Sequence, residues 1–258
     1  MSDIAGYTQS SNRQISWITP DWPAPSGIKA VSTLRAGGCS EGQFAGLNLA
    51  EHVGDRIRSV ERNRRLLRSA LGLPDNPAWL QQVHSATMVS AEAAGKESVA
   101  DGSYTRNAGV VCAIMTADCL PVLLCDQEAS IIAAVHVGWC GLLAGILETA
   151  VQTLEAKHLI AWLGPGIGLN HYEVESEVRD QFLSKSTRFA AFFRPSHTGK
   201  WFADMPSIAE STLNTIGGVK VYPSSLCTFS NPELFYSYRR DNITGRMATL
   251  IWREEAGQ

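Results

Sequence analysis

Residues 110–157 read VVCAIMTADCLPVLLCDQEASIIAAVHVGWCGLLAGILETAVQTLEAK, and the change of period inside them decides the fold class. Three apolar runs of strand length come first: Val110 to Met115, Leu120 to Cys125 and Ile131 to Val137. Asp126-Gln127-Glu128 supplies a polar turn between the second and the third. A strand that is apolar at every position is covered on both faces. After His136 the pattern changes. Leu143, Ile146, Leu147, Ala150, Val151 and Leu154 recur at helical spacing, which predicts one helix from Gly138 to about Lys157.

Farther out, Leu159 to Leu163 predicts a short strand stopped by Gly164-Pro165-Gly166, and Tyr172 to Lys185 a charged amphipathic helix. Ala203 to Thr215 reads as another helix, and Val219 to Tyr222 and Met247 to Trp252 as strands. The alternation gives a mixed α/β (α+β) chain without internal repeats or low-complexity linkers. With 258 residues, 45% of them hydrophobic, the chain can bury a sizeable core, and residues 21–258 are expected to form one catalytic domain. Residues 1–20 (MSDIAGYTQSSNRQISWITP) are polar and lack the apolar centre of a secretory signal. They read as a loosely ordered lead-in to a cytoplasmic protein.

The longest apolar stretch, Ile131 to Ile146, falls short of the ~20 residues of a membrane span. A net charge of −3 and a pI near 6.1 leave no basic surface, which argues against nucleic acid or an anionic membrane as partner. Small molecules are the expected ligands. The six cysteines (39, 112, 119, 125, 140, 227) have no framework spacing and are expected to be reduced.

Chemistry concentrates at Cys119, with His84 thirty-five residues before it and His136 seventeen after. Two imidazoles and a thiolate suit Zn²⁺ with a fourth position left open, as in a catalytic site. None of the three lies in a short metal motif, and each also has a structural reading. His84 could be a core histidine bonded to a carbonyl, and Cys119 could simply fill space before Pro121. His136, within IIAAVHVGW, is a polar ring that costs roughly 1–3 kcal/mol if left unsatisfied. Asp118 reads either as a general base beside Cys119 or as a turn residue.

WLQQVHSATMV, CAIMTADCLPVLLCD, AAVHVGWCGLLAGI, WLGPGIG and FYSYRRDNITGRMA occur in the order that marks the laccase-domain proteins, and from about Trp22 to Trp252 the chain resembles that family. Its members were first named multicopper polyphenol oxidases and are now regarded as purine nucleoside phosphorylases with adenosine deaminase activity. The resemblance implies two mixed sheets packed face to face with flanking helices, an α/β/β/α layering. It implies catalytic zinc on His84, Cys119 and His136, and as substrates phosphate with adenosine, inosine, guanosine or methylthioadenosine. It favours Arg35, Arg64, Arg239 and Arg240 as pocket residues and Asn48 for substrate hydroxyls or base edges, in a monomer or homodimer.

Phosphate could also use the helix start near Gly138, where free N–H groups and the dipole favour an anion. Arg246 is a further arginine close to these motifs, and Trp139, Phe235, Tyr236 and Tyr238 are aromatics that could stack on a purine. Copper-dependent polyphenol oxidation is the alternative, with Cu²⁺ as alternative or adventitious metal. A multicopper laccase needs far more histidines, many in His-x-His pairs, than the six unpaired ones here. A hydrolase with Cys119 as nucleophile and His136 as base is the other alternative. Where the family usually has arginine, in His-x-Gly-Trp-Arg-Gly, this chain has Cys140, which could weaken phosphate binding, pack harmlessly or become a fourth metal ligand.

Overall fold

A computed structural model describes residues 5–10, 15–95 and 98–254. In chain order its elements are β1 (Tyr7–Gln9), β2 (Ile15–Ile18), β3 (Ile28–Gly37), α1 (Ile57–Leu71), β4 (Met88–Ser90), β5 (Gly102–Thr105), β6 (Val111–Thr116), β7 (Leu120–Asp126) and β8 (Ile132–Val137). There follow α2 (Trp139–Ala144), α3 (Ile146–Leu154), β9 (Leu159–Leu163), β10 (Glu173–Val174), α4 (Ser176–Lys185), β11 (Phe193–Pro195), β12 (Trp201–Ala203), α5 (Met205–Ile216), β13 (Val219–Pro223), α6 (Tyr238–Asp241) and β14 (Met247–Arg253).

The strands form a five-stranded sheet ordered β1-β2-β3-β14-β6, a six-stranded sheet ordered β13-β9-β7-β8-β5-β4, and a small β10-β12-β11 sheet. Period-2 alternation sorts their side chains. Cys112 and Ile114 of β6, Leu123 and Cys125 of β7, Ile132 and Ala134 of β8 and Ile251 of β14 join one buried cluster between the two large sheets. On the outer face of the five-stranded sheet, Val111, Ala113 and Leu250 pack with Leu67 of α1. On the outer face of the six-stranded sheet, Val122, Leu124 and Val135 pack with Leu147 and Ala150 of α3 and Ile208 of α5. The layers therefore run α/β/β/α. Only the six-stranded sheet is mixed, because every pairing in the other is antiparallel.

Two local expectations are corrected. The lead-in is not loose over its described residues: β1 and β2 pair with each other, and β2 continues the five-stranded sheet through β3. Ile15 and Ile18 are buried there, so a mostly polar segment is held by two apolar anchors and its backbone ladder. The predicted helix of 138–157 is two helices, broken at Gly145, whose φ of 93° lies where only glycine is comfortable. Among the described residues no helix is long and apolar enough to cross a membrane.

Candidate metal centre

Antiparallel pairing of β7 and β8 sets Pro121 opposite His136 and Leu120 opposite Val137. The hairpin therefore brings Cys119, just before β7, and His136, near the end of β8, to the same open edge. β5 pairs with β8 on the other side, and Asp101, immediately before β5, accepts the His136 backbone N–H at 2.7 Å. His84 arrives on the loop ahead of β4.

His84 Nε2 lies 3.6 Å from Cys119 Sγ, and the ligating atoms of His84, Cys119 and His136 all lie within 4.8 Å of one another. Ligands at about 2.0–2.1 Å (N) and 2.3 Å (S) from one ion at a tetrahedral angle stand about 3.6 Å apart, so the His84–Cys119 spacing fits a shared ion. The three residues could hold a metal ion, and Cys140 is not part of the group. His136 is buried, Cys119 partly buried and His84 exposed, which leaves the group open on one side.

Asp101 assembles this group, and sequence reasoning missed it. Its fully buried carboxylate accepts from His136 Nδ1 at 2.8 Å, His84 N at 2.9 Å, Ser85 N at 2.6 Å and Ser85 Oγ at 2.8 Å. One side chain thus fixes the His136 ring by Nδ1, leaving Nε2 as the ligating atom, and shapes the loop that carries His84. That loop is tight enough to give His84 a φ of 62°. Burial works to raise the Asp101 pKa, but the bonds from His136 and Ser85 overcome it and hold the group down at about 2.

Charge is shared between sulfur and imidazole in the same way. Burial opposes ionisation of Cys119, yet the charge and hydrogen bond of His136, with help from His84, bring the thiol down to about 6. Burial also opposes the His136 cation, and the Cys119 charge together with the Asp101 bond carries it up to about 9. Gly138 closes the far wall: a Cβ there would stand 2.5 Å from His84 Cδ2 and 3.3 Å from Cys119 Sγ.

A cavity of about 430 Å³ opens onto the triad and is also lined by His52, Gln82, Met115, Tyr238 and Arg246. Arg64 lies in an adjoining cavity that shares His52, Gln82 and Met115, where it pairs with Glu51 at 2.9 Å and sits over the Trp79 ring. The other nominated residues are committed elsewhere. Arg35 donates to the Pro232 carbonyl and stacks on Tyr236. Arg240 is spent on the carbonyls of Thr228, Phe229 and Phe235 and on Asp241. Arg239 donates to the Glu173 carbonyl and lies over Tyr172.

Asn48 is fully buried, and its amide bonds Ala50 O, Asp55, Ala50 N and Arg246 N, which leaves nothing for a substrate. Asp118 accepts from Thr228 Oγ1, Ser237 Oγ and Arg239 N, so its carboxylate anchors the 228–239 segment. Phe235 and Tyr236 are core, and of the four nominated aromatics only Tyr238 lines this cavity. The helix start near Gly138 heads a six-residue helix, too short for the dipole expected of a longer one. Cys140 is partly buried, and its thiol is pushed up by burial and by the Cys119 charge.

A family model described as multi-copper polyphenol oxidoreductase laccase matches residues 29–254. A Pseudomonas aeruginosa protein named purine nucleoside phosphorylase is 45% identical over 242 residues, covering 93% of this chain and 99% of its own. YfiH of Escherichia coli, which carries the same name, is 42% identical, with 91% and 98% covered. Among solved structures, a Neisseria meningitidis protein superposes with a TM-score of 0.88 at 41% identity, covering 93% of this chain and 99% of its own. YlmD from Geobacillus stearothermophilus superposes at 0.86 and 29%, with 97% and 100% covered.

Proposed function

Because the chain belongs to the family described as multi-copper polyphenol oxidoreductase laccase, we propose that it is a zinc-dependent purine nucleoside phosphorylase that also deaminates adenosine. Its substrates would be adenosine, inosine, guanosine or methylthioadenosine together with phosphate. The observation that carries this reading is an open two-histidine, one-cysteine group on the wall of a cavity large enough for a small molecule. The names of relatives more than 40% identical over nearly their whole length support the substrate class.

His84, Cys119 and His136 would hold the zinc, which would supply Lewis acidity to a water for hydrolytic attack on C6 of the purine. The protein's own part is positioning. Asp101 keeps the His136 ring oriented, the low pKa of Cys119 keeps its sulfur anionic near neutral pH, and Gly138 leaves room for both ligands. For phosphorolysis the ribosyl centre gains positive charge while phosphate is held against it, so orientation and electrostatics dominate.

Polyphenol oxidation fits less well. Among the described residues one group could hold a metal, whereas a multicopper oxidase requires several. A cysteine hydrolase is favoured by one observation, the mutual charging of Cys119 and His136. Metal decides between them, since a coordinated thiolate is not a free nucleophile.

The experiment is chromatography of metal-quantified protein incubated with adenosine, with and without phosphate. Free adenine that forms only with phosphate and inosine that forms without it are the expected products. Neither product, or activity that survives complete removal of the metal, overturns the proposal.

A further inference from the structure

Of the arginines nominated from the sequence, Arg246 alone lines the cavity of the triad. It immediately precedes β14, its backbone N–H is fixed on Asn48 Oδ1 at 3.0 Å, and its Nη1 donates to the Thr244 and Gly245 carbonyls at 3.0 Å each. Arg64 and Arg240 have carboxylate partners, but among the described residues none pairs with Arg246. Arg246 lines the cavity that holds His84, Cys119 and His136, with its guanidinium over the ring of Tyr238, another lining residue. The charges of Cys119 and Asp118 act on this largely desolvated cation, but neither group forms an ion pair or hydrogen bond with it, so the guanidinium keeps free capacity for an anion that enters the cavity.

His52 lines the same wall. Its pKa is lowered by burial and by the charges of Arg246 and Arg64, so near neutral pH the ring stays uncharged and offers one N–H. Gln82, also on the cavity wall, is held on both its amide atoms by the Met115 backbone. A guanidinium with one edge anchored presents its remaining N–H groups in a fixed fork that matches a tetrahedral oxyanion.

We infer that Arg246 and His52 form a phosphate-binding subsite in the cavity beside the triad. The occupant's name rests on the phosphorylase reading; the chemistry of the subsite does not. The same oxyanion could be inorganic phosphate or a phosphoryl group on the nucleoside.

The test is calorimetric titration of inorganic phosphate, and separately of inosine and inosine 5′-monophosphate, which have no amino group to lose, into metal-loaded protein without turnover. Wild type is expected to bind phosphate. Arg246→Gln should weaken it about ten- to a hundredfold with metal content and circular dichroism unchanged. Arg246→Lys, which keeps the charge but not the fork, should fall between, and should carry the comparison if the Gln variant does not fold. Arg35→Gln, whose guanidinium is turned to Pro232 and Tyr236, should bind as wild type.

If inorganic phosphate does not bind but an Arg246-dependent preference for the monophosphate over inosine is found, the subsite stands and phosphorolysis falls. Wild-type affinity for both phosphate and the monophosphate in the Arg246 variants overturns the subsite and leaves phosphorolysis untouched. A wild type that shows neither phosphate binding nor monophosphate preference overturns the subsite and phosphorolysis together.

Discussion

Without a metal, Cys119 and His136 each stabilise the other's charged form, and a metal has to displace the proton they share. Coordination needs a thiolate and neutral imidazoles. At pH about 7.5 the Cys119 thiol, at about 6, is already ionised, while His136, at about 9, still carries its proton. Metal binding should therefore release about one proton at that pH. It should release more as the pH falls and Cys119 is protonated as well, and close to none above about pH 10. Calorimetry in two buffers of different ionisation enthalpy counts these protons, and zero release near pH 7.5 would remove the ion pair. The three candidate ligands were legible through the family resemblance; by pattern alone only His136 interrupts an apolar run with a group that needs a partner, and His84 and Cys119 each have a structural reading. Asp101 was not, since Ala100-Asp101-Gly102 reads as the turn before a strand, and the atoms it joins come from a loop and a strand distant in sequence. Arg246 was visible as an arginine, but nothing in its neighbours told it from Arg239 or Arg240.

The junction of β8 and α2 carries the site at the scale of elements. Gly138 has an extended backbone with φ −85° and ψ 167°, so alanine is conformationally allowed there and only space forbids it. Overpacking of this kind costs about 1–3 kcal/mol, and the softest response is displacement of the exposed His84 ring. Gly138→Ala should then weaken metal binding about ten- to a hundredfold while the thermal midpoint stays near wild type. Retained affinity in a competition titration with a chelator would show that the wall yields elsewhere. Strands β6, β7, β8 and β9 were readable from unbroken apolarity, yet the helical period over 143–154 concealed the break at Gly145, because the apolar stripe continues in phase across it. α1 was not read at all. Its buried stripe is Val60, Asn63 and Leu67, and the polar Asn63 hides the period while serving Cys39 N, Ser40 Oγ and Asn48 O.

At the scale of the whole molecule, the triad depends on the two large sheets keeping their mutual seat, since β5, β7 and β8 present its edge and the five-stranded sheet backs them. Leu123 is fully buried in the cluster between the sheets. Leu123→Ala should cost about 2–5 kcal/mol. For a chain of this size that lowers the thermal midpoint by several degrees, and an unchanged midpoint would contradict the packing. Layering of this kind is invisible to periodicity, which tells that β7 is covered on both faces but not that a sheet covers one and helices the other. The central claim is that one metal sits on His84, Cys119 and His136, and plasma emission analysis of wild type beside Cys119→Ala tests it most directly. The account predicts about one zinc per chain in the wild type and little in the variant, with circular dichroism unchanged; a Cys119→Ala protein that keeps its full metal content would contradict it.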